Sequence, residues 1–212
     1  MFPKLTRATL AIILVNVVVY LLERAPSRSL QMHLALLALW PAASPEGLFR
    51  PWQLVTYAFL HDPANLTHIF FNMFALYMFG PSLEQYWGAR RFLVYYLVCI
   101  IAAGATQLAV EYVFGHGEPT IGASGGIFGL LLAFAMLFPR ARILLYFAIP
   151  MPAWLFVAGY AVLELFFGVT GRQASVAHFA HLGGMLGGAI MILYWRLRDG
   201  GANRGGGGWR PT

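Results

Sequence analysis

Six long stretches of this chain are apolar, separated by short clusters of charge, proline and glycine. The first runs over residues 8–22 and closes at Glu23-Arg24. Leu5 and Thr6 extend it toward the roughly 20 residues that a membrane-crossing helix needs. Lys4 and Arg7 ahead of it suggest a signal peptide, but no small-residue cleavage site follows and many more apolar runs do, so it reads as a first span. The second begins near Asn65 or Thr67, either of which can cap a helix, and reaches about Gly80. A polar turn over residues 82–91 leads to spans at 91–112, 122–138, 143–167 and 175–195, with turns at 115–119, 139–142 and 168–172.

Residues 25–66 have a mixed character. Residues 30–40 suit a short interfacial helix, after which Pro41, Pro45 and Pro51 bar any continuous span. Trp40, Phe49, Trp52, Tyr57 and Phe59 supply the aromatic belt expected at headgroups. The pattern predicts an all-α membrane protein: one six-span bundle over residues 1–195, a structured outer loop between spans one and two, and a disordered basic cytoplasmic tail over 196–212.

Composition agrees. The chain has 212 residues, 59% hydrophobic and only 10% charged, where a soluble domain is about a quarter charged. Its net charge of +6 belongs to membrane topology rather than nucleic acid, because no basic run carries interleaved aromatics. Placing the N-terminus inside puts ten Lys and Arg on inner segments against four on outer ones, which favours cytoplasmic N- and C-termini. Cys99 is the sole cysteine, so no disulfide forms within the chain and a packing role is expected.

In that topology spans two, four and six all start at the outer face, and each carries polar groups near its start: His68 and Asn72, Ser124, and His178 with His181. His68 and Asn72 are four apart and share a helix face. His181 sits roughly 9 Å into its span. Ser124 reaches similar depth if the approach over 115–122 dips into the protein, where irregular backbone needs protein or water around it. Ser124 is either a helix-packing device or a nucleophile. Intramembrane ionisable residues point to function, and histidine is the usual base for serine. Gly125 and Gly129 on span four, with Gly184 and Gly188 on span six, form small-residue faces that allow close approach. The start of span four would also aim free N–H groups at an oxyanion near Ser124. Metalloprotease chemistry lacks an HExxH pair, and aspartyl chemistry lacks intramembrane aspartates, since Asp62 lies in a loop and Asp199 in the tail.

These residues resemble the rhomboid family of intramembrane serine proteases. Gly122-Ala123-Ser124-Gly125 matches its G-x-S-G motif, His68 through Asn72 its H-x-x-x-N, and Ala180-His181-Leu182-Gly183-Gly184 with Gly188 its A-H-x-x-G-x-x-x-G. Glu84 to Gly88 with Arg91 and Phe92 is similar to the turn after span two, and Arg50, Trp52 and Phe59-Leu60-His61 to the first outer loop. The likeness covers residues 5–195 in order. It implies a Ser124–His181 dyad with no third carboxylate, and an oxyanion held by His68, Asn72 and the Ser124 backbone. Phe128 matches a ring that packs on the base and is often tyrosine, so its hydroxyl would be missing here. The resemblance also implies single-span membrane-protein substrates that unwind into the site between spans two and five.

The motif and the glycine spacing select His181 over His178, which would line water access instead. Glu164, alone on span five, could complete a triad, but it lies near the outer end of that span and is expected instead to snorkel or hydrogen-bond at the interface. His61 would support the loop through a backbone hydrogen bond, and His33 and His116 would be solvated. No metal is expected, because His178 and His181 lack an evident third ligand, and no cofactor is implied. Loss of Ser124 or His181 would favour a silent rhomboid-like protein that binds or escorts membrane helices, yet both are present. A transporter would show broken helices in matched halves. The compact chain without a transit peptide points to a multi-pass protein of a prokaryotic plasma membrane.

Overall fold

After Arg7 no charge follows until Glu23, and this apolar stretch forms α1 (Arg7–Glu23). The computed structural model describes residues 3–43, 47–114, 118–145, 148–171 and 177–202. Thr6, at the N-cap of α1, makes no side-chain cap. Glu84 from a distant helix supplies it, accepting from Ala8 N at 3.0 Å, Thr9 N at 2.8 Å and Thr9 Oγ1 at 2.9 Å. A carboxylate there satisfies orphan amides and complements the positive end of the helix dipole.

The outer loop is structured as expected, though its helix α2 (Arg28–Ala35) starts and stops earlier than the apolar run. Ser27 Oγ accepts from Leu30 N at 3.4 Å to cap it. Gln53, fully buried at the head of α3 (Gln53–Thr56), ties the loop together. Its amide donates to Leu36 O and Leu48 O at 2.9 and 3.0 Å and its oxygen accepts from Arg50 N at 3.1 Å. A 3₁₀ turn over Tyr57–Phe59 follows.

Asn65 Oδ1 accepts from Thr67 N at 3.1 Å and starts α4 (Leu66–Trp87), which runs on through Pro81. The expected turn over 82–91 is therefore helical up to Trp87. The break is Gly88, whose φ of +78° ends α4 before α5 (Ala89–Phe114) begins. A second difference follows α6 (Ser124–Leu137). Apolar residues expected to open span five instead form an antiparallel hairpin, β1 (Arg142–Leu145) with β2 (Ile149–Pro152), in the register Arg142 to Pro152 and Leu145 to Ile149. Pro150 and Pro152 lack N–H groups and exclude helix there. The helix starts only at Ala153, as α7 (Ala153–Thr170), with Gly171 at φ +64° ending it. α8 (His178–Ala202) continues past residue 195; the rest of the expected tail, and His116, lie outside the described residues.

The chain is thus mostly helical, with eight α-helices among the described residues. Of these, α5 and α7 are long and apolar enough to cross a membrane, and α6 is a shorter apolar helix. Leu14, Val18, Tyr112, Val169 and Ile190 are large apolar side chains left exposed on the helices, as a lipid-facing surface requires.

The core lies where α5, α6 and α8 meet through small residues. A Cβ at Gly187 would strike Ala102, one at Gly183 would strike Thr106, and one at Gly129 would strike Cys99. Cys99 is buried and free, filling the packing role expected of it. Tyr95 OH donates to Gly129 O at 2.8 Å, fastening α5 to α6. Arg91 and Asp199, 3.0 Å apart, pair the start of α5 with the end of α8. That pair marks the end of the bundle opposite the polar groups considered next.

Candidate active site

Ser124 is the first residue of α6, and the segment before it is pinned to the outer loop. Leu39 and Thr120 exchange backbone hydrogen bonds at 3.0 and 2.9 Å, and Gly122 N donates to Tyr57 O at 3.0 Å. Gly122 has φ +119°, a conformation side chains resist. A methyl group there would also lie 2.8 Å from His68 Nε2 and 3.8 Å from Ser124 Oγ. His68 and Ser124 therefore face one another across a gap only glycine leaves open.

His181 stands in the first turn of α8, where Gly184 passes against the Gly125 backbone. That approach brings His181 Nε2 within 2.8 Å of Ser124 Oγ. Phe128, one turn along α6, stacks on the imidazole with centroids 4.2 Å apart and planes 7° apart. Gly188 packs on the Tyr95 hydroxyl, a support further from the chemistry. Asn72 is buried one turn along α4 from His68.

The hydrogen-bond network assigns the His68 tautomer. Asp62 N donates to His68 Nδ1 at 3.4 Å, which leaves the ring proton on Nε2, the atom beside Gly122. His61 lies against this ring, centroids 4.9 Å apart. Its backbone N–H donates to Glu23 Oε2 at 3.0 Å, tying the loop to the end of α1 through the main chain rather than through the ring.

The His61 ring is fully buried. Burial above all, and the neighbouring His68, lower its pKa from the usual 6.5 to about 4, against a smaller opposing contribution from the Phe59 backbone. Between those two values the unfolded chain binds a proton that the folded one refuses, so stability falls as the pH falls. The loss starts near 6.5, levels off below about 4, and is on the order of 3 kcal/mol. Melting of the protein and of His61→Phe in detergent checks this: the variant should show a flatter profile over that window. Parallel profiles would refute it.

Glu164 departs from expectation. It does not snorkel; it is buried, with His178 and His181, between α7 and α8. Its Oε2 lies 2.7 Å from His178 Nδ1 and 2.9 Å from His181 Nδ1. His178 is likewise buried in this contact rather than lining water access. Ala153, Val157 and Glu164, the buried residues of α7, share one helical face. Glu164 would also supply the third ligand that the two histidines were expected to lack. One donor atom from each residue falls within 4.8 Å of the others, so the group could hold a divalent ion. The 2.7 Å contact with His178 is a hydrogen bond, and the 2.9 Å contact with His181 is a close ion-pair distance.

Residues 49–198 match the family model described as Rhomboid domain. The chain is 38% identical over 144 residues to "Rhomboid protein 1, mitochondrial" of Saccharomyces cerevisiae, covering 65% of this chain and 40% of that protein. It is 31% identical over 206 residues to "Presenilin-associated rhomboid-like protein, mitochondrial" of Bos taurus, covering 91% and 51%. It is 32% identical over 151 residues to "Rhomboid protease GluP" of Bacillus subtilis, covering 71% and 27%. The chain thus spans about half or less of the length of these curated relatives. With the family match extending over most of its length and taking in every helix from α4 to α7, the chain belongs to the rhomboid family, whose members are membrane proteins and generally intramembrane serine proteases.

Proposed function

We propose that this chain is an intramembrane serine endopeptidase that cuts transmembrane segments of single-span proteins, using Ser124 as nucleophile and His181 as base. The observation that carries the reading is the 2.8 Å contact between Ser124 Oγ and His181 Nε2, within the reach that nucleophile and base require. His181 Nε2 takes the hydroxyl proton as Ser124 Oγ attacks the scissile carbonyl. The resulting oxyanion meets the Ser124 backbone N–H at the head of α6, the His68 Nε2–H and the Asn72 amide. Such donors stabilise charge that exists only in the transition state. His181 then passes its proton to the leaving amine, and water released from its own proton by His181 hydrolyses the acyl-enzyme.

In this reading α1, α4, α5, α6, α7 and α8 are six spans, with both termini cytoplasmic and the site near the outer face of the bilayer. The substrate helix unwinds between spans two and five. A plasma-membrane location rests on the sequence alone, since the yeast and bovine relatives carry mitochondrial names.

The test uses the full chain purified in detergent and a tagged single-span substrate with helix-weakening residues near its outer end. Cleavage is expected, together with covalent labelling of Ser124 by a fluorophosphonate that blocks it. A protein that binds the substrate but neither cuts it nor takes the label would be a helix-binding member of the family, and the peptidase reading would fall.

A further inference from the structure

We infer that Glu164 is a positioning carboxylate for His181, so that the site is a Ser124–His181–Glu164 relay of three groups rather than a dyad; this rests on the peptidase reading above. Glu164 is the sole carboxylate of α7 and one of its three buried residues. The others, Ala153 and Val157, lie in the first part of the helix. Further along, this charged side chain is what α7 turns inward. A carboxylate is costly to bury unless it meets donors or opposite charge; here Oε2 accepts a hydrogen bond from His178 Nδ1 and lies 2.9 Å from His181 Nδ1.

Those contacts fall on the side of His181 that the reaction needs held. Its Nε2 faces Ser124, and its Nδ1 lies 2.9 Å from Glu164 Oε2. Among the described residues no group makes a straight hydrogen bond to Nδ1; Oε2, at 2.9 Å, is the acceptor beside it and lies off that line. The carboxylate is therefore the one partner able to keep the proton on Nδ1, which leaves the Nε2 lone pair free for the serine hydroxyl. When Nε2 takes the Ser124 proton, the imidazolium forms beside a carboxylate that stays ionised and lowers its energy. His178 shares the same oxygen at 2.7 Å and fixes the carboxylate in place. Phe128 stacks on the flat of the ring. Ring plane and ring tautomer thus have separate restraints.

The experiment compares wild type, Glu164→Gln and Glu164→Asp for cleavage and for the rate of fluorophosphonate labelling. Glutamine keeps the shape but offers a donor as readily as an acceptor. Its kcat is expected to fall by about 10²–10⁴, with KM within about twofold and the melting temperature near that of wild type. Aspartate, which keeps the charge, should recover part of the rate. In phosphonylated wild type labelled with ¹⁵N-histidine, a strongly deshielded proton on His181 Nδ1 is expected.

A folded Glu164→Gln enzyme with less than a tenfold loss in kcat overturns the role while leaving Ser124 and His181 in theirs. Should the variant fail to fold, the wild-type proton signal decides: its presence supports the contact, its absence refutes it. If wild type neither cuts nor labels at Ser124, the peptidase reading itself fails and takes this one with it.

Discussion

Ser124→Ala is expected to lower kcat for a single-span substrate by about 10⁴–10⁶ while the protein melts as wild type does. The size follows from what remains. Without Oγ there is no nucleophile 2.8 Å from His181 Nε2, and the oxyanion donors alone give only a small residual rate. The fold should survive, because Ser124 opens α6 without capping it. The packing of α6 on α8 is made by Gly125 and Gly129 instead. His181→Ala should cost about as much, and the double variant little more than either, since groups acting as a unit are not additive. Equal cutting by wild type and Ser124→Ala would sink the assignment.

Gly184→Val is expected to bring activity down to the level of Ser124→Ala and to lower the melting temperature as well. A Cβ at Gly184 would run into the carbonyl of Gly125, which is backbone and has no rotamer to move to. The helices must part, at a cost of about 1–3 kcal/mol for the first methyl and more for a branched side chain. His181 lies one turn from Gly184, so the parting opens its contact with Ser124. A displacement of about 1 Å is enough to cost 10²-fold. Gly159, on α7, is the control. Nothing lies within 4 Å of a Cβ there, so Gly159→Ala should be neutral or stabilising by up to about 1 kcal/mol. A Gly184→Val protein with wild-type melting and cleavage would show that the close approach is dispensable.

Much of this was legible in the chain. The starts of α4 and α6 follow from Asn65 and from the glycines around Ser124, and small residues at four-residue spacing indicate which faces of α6 and α8 approach. Errors came where apolar character hid the backbone requirement. Residues 142–152 are greasy enough for a span, yet Pro150 and Pro152 leave them only a hairpin. Residues 82–87 are polar enough for a turn, yet Glu84 is needed inside α4, where it caps α1.

By itself the sequence determined that the chain is apolar and helical, and that serine, histidine and asparagine head three helices. Those properties depend on residue type and spacing along one chain. The tertiary structure alone decided what Glu164 touches. Whether a lone carboxylate reaches outward to water or inward to a histidine depends on how α7 is turned against α8, and that rotation is set by the packing of both helices. Read on its own, span five left Glu164 between completing a triad and relieving its charge at the interface, and favoured the interface. Packed against His178 and His181, it becomes the third group beside Ser124.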